Sequence, residues 1–173
     1  MTIFDAESLL KKGVLTDHPQ TWADLGCGVG LFTRALSRLL PDGSTIYALD
    51  KNSQPEIKSE NPKIEIRFKQ SDIATEPLEL PQLNGILMAN VFHFIEDKLS
   101  FLEKLSPLFS EKENYIIAEY DRNQPNPWIP YPIELKALRS LFEKFGDFEI
   151  TKLGEVKSSF GNQNIYAARI SRN

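Results

Sequence analysis

The segment Thr21–Leu36, TWADLGCGVGLFTRAL, restricts what this chain can become more than any other. An apolar run suited to a buried strand, Thr21–Leu25, leads into glycines at alternate positions, Gly26, Gly28 and Gly30. Leu31, Phe32, Ala35, Leu36, Leu39 and Leu40 then recur every three to four residues, the spacing of one helix face. Strand, glycine turn and helix are the first half of a βαβ unit. A residue without Cβ takes φ > 0 and lets another molecule lie against bare backbone. The helix N-terminus behind it offers unpaired N–H groups and a partial positive charge. Nucleotide-bearing cofactors use this arrangement.

The spacing discriminates between cofactors. A dinucleotide site places its third glycine three positions after the second, G-x-G-x-x-G, whereas Gly30 follows Gly28 by two. Asp24, just before the glycines, is misplaced for a pyrophosphate and well placed for a cationic amino-acid tail. In these residues the sequence resembles class I S-adenosylmethionine-dependent methyltransferases, in their small-molecule branch. Their first motif, acidic-x-G-x-G-x-G, is matched by Asp24-Leu25-Gly26-Cys27-Gly28-Val29-Gly30. The resemblance covers nearly the whole chain. It implies an α/β, Rossmann-like fold: a seven-stranded, mostly parallel sheet with an antiparallel last strand and helices on both faces. It also implies S-adenosyl-L-methionine as cofactor.

Composition sets outer limits. The chain has 173 residues, 41% hydrophobic and 25% charged, which fits one soluble domain over 1–173 with a real core. The net charge of −4 argues against a broad basic surface for nucleic acid. A single cysteine, Cys27, permits no internal disulfide and suits a reducing, cytoplasmic setting. Cys27 reads as a small filler beside the cofactor rather than a reactive thiol. No apolar stretch approaches the ~20 residues of a membrane span, and the opening MTIFDAESLLKKG lacks signal-peptide architecture. A monomer or homodimer acting on a small molecule is expected.

Along the chain, Asp5–Lys12 reads as a short helix closed by Gly13. Ser44–Asp50 reads as a buried strand with Asp50 at its tip, Lys51 beside it. Asp50 suits two roles, accepting both ribose hydroxyls of an adenosine or capping the next segment of chain; the glycines favour ribose. Lys51–Pro62 promises only loose turns, and Lys63–Gln70 alternates as a strand near a sheet edge. The resemblance implies that Asp72 accepts from the adenine amino group and that Ile73 packs on the ring; a turn or cap is the other reading of Asp72. Asn84–Val91 reads as a central, strongly apolar strand. Gly85 stands near its start, where the family usually carries an aspartate.

Asn90 ends that strand, beside the sulfonium in the family's arrangement. Phe92-His93-Phe94-Ile95-Glu96-Asp97 comes next and resembles a stretch of many small-molecule members. His93 is therefore a candidate base, or a packed core histidine, and Phe92 a candidate substrate contact. Glu96–Ser110 reads as an amphipathic helix and Asn114–Tyr120 as a strand. Asp121–Pro132, DRNQPNPWIPYP, is a proline-stiffened loop that would lie over the site. Tyr120, Trp128 and Tyr131 are candidate substrate walls; the other reading of Trp128 and Tyr131 is a surface loop whose aromatics plug the core. Ile133–Phe145 reads as a helix, with Asp147–Lys157 and Asn162–Ile170 as a closing hairpin around Ser158-Ser159-Phe160-Gly161.

Methyl transfer needs chiefly an in-line nucleophile at near-attack distance; a base is needed only for a less acidic acceptor. The Asn/Asp-Pro-Pro-aromatic motif of amino-nitrogen methylation is absent after the fourth strand, where Asn90-Val91-Phe92-His93 stands. His18 and His93 show no metal-ligand spacing. The competing expectations are a cofactor-binding module without turnover and, disfavoured by glycine spacing and hairpin, a nucleotide-dependent oxidoreductase.

Overall fold

The computed structural model describes residues 1–15, 17–158 and 163–173. Its helices are α1 (Ile3–Leu10), α2 (Leu31–Ser37), α3 (Lys98–Leu105) and α4 (Leu135–Phe145). Its strands are β1 (Thr21–Leu25), β2 (Thr45–Asp50), β3 (Glu65–Gln70), β4 (Gly85–Ala89), β5 (Asn114–Tyr120), β6 (Phe148–Lys157) and β7 (Asn164–Arg172). They form one sheet in the order β3-β2-β1-β4-β5-β7-β6. β1 to β5 are mutually parallel. β7 pairs antiparallel to both β5 and β6. This is the expected architecture, with β3 at the edge. Of the expected turn Ser158-Ser159-Phe160-Gly161, all but Ser158 lies outside the described residues, as does Asn162.

Strand alternation sorts the core into two layers. Trp22, Ile46, Leu87, Ile116, Ile165 and Ala167 pack under α1 and α2. Leu25, Leu49, Met88, Tyr115, Ile117 and Tyr166 pack under α3 and α4. Fully burying Leu138 and Phe142 of α4 is worth about 1.5–3 kcal/mol each. The sheet order reverses its direction of growth between β1 and β4. Open α/β sheets bind ligands at such a point, beyond the carboxyl ends of the strands.

Several local expectations are corrected. Gly13 does not cap α1; the helix ends at Leu10 with Lys11 in right-handed helical geometry. Gly13 is required for space, because a Cβ there would lie 2.7 Å from Leu153 and 2.8 Å from Ile116. α1 is held instead at its start, where Thr2 and Asp5 bond reciprocally. α2 stops at Ser37 and leaves Leu39 and Leu40 outside the helix, with the turn Pro41-Asp42-Gly43 close behind. The Glu96–Ser110 helix begins at Lys98, capped by Asp97, and gives way to a 3-10 turn at Ser106. Gly85 is explained by packing: a Cβ there would come within 2.5 Å of the Trp22 indole. Trp22 is fully buried and donates to Gln20 at 2.7 Å.

Candidate functional site

The parallel register brings the tips of β1, β2 and β4 level: Leu25 lies beside Leu49 and Met88. The glycine turn closes over them. Gly26, Gly28 and Gly30 have φ of 76°, 51° and 82°, the left-handed region that favours glycine. Gly26 and Cys27 both donate to Leu49 O, at 2.8 and 2.9 Å. The three positions differ in surroundings. A Cβ on Gly26 would sit inside the Val91 side chain, and one on Gly30 would meet Ile57 at 2.5 Å. A Cβ on Gly28 would meet nothing within 4 Å; it would project into open space. Gly26 and Gly30 are therefore glycines for packing, and Gly28 is the bare floor of a cleft.

That cleft, of about 520 Å³, is bordered by Gly26, Gly28, Asp50, Lys51, Asp72 and Ile73, and by Asn90, Val91 and Phe94 across from them. The volume suits a small-molecule or cofactor site. Asp50 is tied into the turn: Oδ2 accepts from Gly28 N at 2.9 Å and Oδ1 from Asn52 N at 2.9 Å. A carboxylate has further lone-pair sites for a ligand. Asp72 Oδ1 accepts from Ala74 N at 3.0 Å, so it caps a turn and borders the cleft at once. Lys104 of α3 fixes this rim by donating to Ile73 O at 2.9 Å and Glu76 O at 2.5 Å.

Asp24 lies deeper. It is 1% exposed, beneath the turn, and its Oδ2 accepts from the Thr33 hydroxyl at 2.6 Å. Burial pushes its carboxyl up to about 7, Thr33 opposing and the Asp50 charge adding to the rise. Asp24 Oδ1 and Asn90 Oδ1 are buried without a hydrogen-bond partner among the described residues. Two unmatched acceptors on adjacent strand ends, next to a bare-backbone floor, favour a ligand that carries donors or positive charge. Burial also pushes the Cys27 thiol up, and it is 8% exposed, which leaves it an inert filler.

A second cleft, of about 630 Å³, adjoins the first. Asn90 and Phe94 border both. His93, Tyr120, Trp128, Ile129 and Arg122 complete much of the wall. His93 is 3% exposed, and its Nδ1 pairs with Glu119 Oε2 at 2.7 Å. Glu119 Oε1 accepts from the His93 backbone N at 3.2 Å. With Glu119 ionised, Nδ1 carries the proton and Nε2 holds the free lone pair. The loop 121–132 is fastened over this cleft. Tyr131 N donates to His93 O at 3.0 Å, and Lys98 donates to Tyr131 O at 2.9 Å. Desolvation lowers Lys98 to about 8. Trp128 stands 77% exposed at the mouth.

Two candidate substrate contacts move. Phe92 is fully buried and packs on Phe101 with ring centroids 6.3 Å apart, so it belongs to the core. Phe94, 53% exposed, takes the lining role. Tyr131 borders a neighbouring depression rather than the His93 cleft and bonds Glu96. Sequence reasoning missed Glu119, Thr33 and Arg122. A lone glutamate in the apolar strand NYIIAEY was the available signal for the first. At the opposite end of the sheet a polar cavity of about 330 Å³ is bordered by Glu113 and Arg172, which pair with each other. Among the described residues no group of three His, Cys, Asp or Glu is placed to hold a metal ion. Among them, too, no helix is long and apolar enough to cross a membrane.

A family model described as "Methyltransferase domain" matches residues 23–109, the span from within β1 to just past α3. This chain belongs to that family. Solved structures share its fold. A 1,6-didemethyltoxoflavin-N1-methyltransferase of Burkholderia thailandensis, with S-adenosylhomocysteine bound, is 16% identical; the match covers 99% of this chain and 78% of that one, with a TM-score of 0.75. An S-adenosylmethionine-dependent methyltransferase of Aquifex aeolicus is 19% identical over 98% and 90%, with a TM-score of 0.68. The magnesium protoporphyrin IX methyltransferase of Synechocystis, with S-adenosylmethionine bound, is 18% identical over 97% and 76%, with a TM-score of 0.61. No curated protein matches.

Proposed function

We propose that the chain binds S-adenosylmethionine in the glycine-floored cleft and transfers its methyl group to a small molecule held in the aromatic cleft. When bound, the cofactor supplies an electrophilic methyl on a positively charged sulfur. Gly28 and its neighbours receive the amino-acid end against bare backbone, and Asp24 Oδ1 offers an unmatched acceptor for a cationic amine. Asp50, with Lys51 beside it, would hold the ribose, and Asp72 and Ile73 would hold the adenine. Asn90, its amide oxygen unmatched among the described residues, stands where the clefts meet and would lie beside the sulfur.

Within the aromatic cleft, Tyr120, Phe94 and Trp128 orient the acceptor and exclude water. Glu119 holds His93 in one tautomer, and His93 Nε2 takes the acceptor's proton when that acceptor is too weakly acidic to ionise alone. Fixing the nucleophile in line with the methyl at near-attack distance is the larger contribution.

What supports this reading most is the meeting of the two clefts at Asn90, because a group passed between two ligands must cross where their sites touch. The experiment is an assay of S-adenosylhomocysteine formation with S-adenosylmethionine and a panel of phenols, hydroxy acids, thiols and amines. Acceptor-dependent product is expected. Tight cofactor binding with no turnover on any acceptor would instead identify a binding module.

A further inference from the structure

Arg122 is the unusual charge of the aromatic cleft. Elsewhere Arg34, Arg38, Arg67 and Arg172 each hold a glutamate, Arg139 donates to Ile150 O at 2.9 Å, and Arg169 donates to Asn114 Oδ1 at 3.0 Å. Arg122 has no carboxylate partner among the described residues. Its Nη1 reaches Gln163 Oε1 only at 3.4 Å, and its Nε is buried with no partner among the described residues. A guanidinium carries five donors in a planar fork. Leaving the buried Nε–H unmatched beside an apolar cavity costs free energy that an incoming anion would recover. Among the described residues the lining of this cleft includes Arg122 and no carboxylate other than what His93 shields behind it. The remaining wall is aromatic and aliphatic: Phe94, Tyr120, Trp128 and Ile129.

We infer that the aromatic cleft selects a planar aromatic acceptor bearing a carboxylate, which Arg122 grips while the ring lies against Trp128 and Tyr120. The inference rests on the assignment of this cleft to the acceptor. Its chemistry is a fork-shaped cation for a carboxylate, flat apolar walls for a ring, and His93 for the proton of the nucleophile. Arg122 is a specificity residue: it touches the acceptor at a group remote from the reacting atom. It lies outside the glycine-floored cleft, so its loss should leave cofactor affinity unchanged.

The test is equilibrium binding of 4-hydroxybenzoate and 4-hydroxybenzamide, probes of matched size that differ in charge. Trp128 and Trp22 are the only tryptophans, and Trp22 is fully buried, so quenching lost in a Trp128→Phe variant reports this cleft. Titrations are run with and without S-adenosylhomocysteine. Wild type should bind the benzoate at least tenfold tighter, and Arg122→Gln should bring the two probes to near equality with unchanged S-adenosylhomocysteine affinity and melting temperature. Equal affinity of the two probes for wild type, no binding of either, or a preference that survives Arg122→Gln overturns the inference. Failure of S-adenosylhomocysteine to bind would overturn the methyltransferase assignment separately, since probe binding is read without it.

Discussion

Asp24→Asn should make the protein more stable and a weaker cofactor binder, a pairing that a purely structural carboxylate would not produce. Asp24 is 1% exposed, and burial raises its carboxyl from 3.8 to about 7. Well below pH 3.8 folded and unfolded chains both hold the proton. Between 4 and 7 the unfolded chain gives it up first, so this group's contribution to stability falls as pH rises and is lost by about pH 7. Above that the folded state carries a desolvated charge at a cost of roughly 4 kcal/mol, from 1.36 kcal/mol per tenfold. Asparagine cannot ionise and can keep the Thr33 contact. Urea unfolding should show wild type and variant nearly equal at about pH 3 and the variant ahead by about 1–3 kcal/mol at pH 8, after discounting for relaxation. Calorimetry at pH 8 should show S-adenosylhomocysteine binding weakened by about 1.5–3 kcal/mol, the range for a bond to a charged group. A variant less stable than wild type at pH 8, with unchanged affinity, would refute the reasoning and leave Asp24 as a tether for α2.

The same geometry sets other outcomes. Gly28→Leu should abolish cofactor binding, because its side chain enters the cleft, at a stability loss of about 1–2 kcal/mol from its φ of 51°; Gly26→Leu should fail to fold stably, because Val91 fills that space. Thermal melts with and without S-adenosylhomocysteine separate the two. Asp50→Ala should weaken binding by about 1.5–3 kcal/mol, part of it through the lost Gly28 bond; unchanged affinity would remove Asp50 from the site. Glu119→Gln and His93→Gln should each lower kcat on a weakly acidic acceptor by about 10²–10⁴-fold and leave cofactor affinity intact. Equal losses on an acceptor already ionised at the assay pH would argue for packing rather than proton transfer.

The sheet and the glycine-floored cleft were legible because their signals are local. Alternate glycines can be read at sight as positive φ, and Asp50 and Asp72 fall at strand ends that apolar runs define. What was illegible depends on tertiary neighbours. Gly26 and Gly28 look alike in sequence, yet Val91 packs against one and open space faces the other. Phe92 and Phe94 are two apart in a 3-10 turn, where neither strand nor helix period says which one turns inward. Glu119 reads as one polar residue in a buried strand until His93 arrives from the β4 side. Arg122 carries no sequence signal of its own; only the tertiary structure shows that no carboxylate among the described residues pairs with it.

The most direct measurement is a crystal structure with S-adenosylhomocysteine bound. Adenine is expected against Ile73 and Asp72, ribose on Asp50, the amino-acid end over Gly28, and sulfur beside Asn90 facing the His93 cleft. Ligand found elsewhere, or bound with its sulfur turned away from Asn90, would contradict the assignment of both clefts.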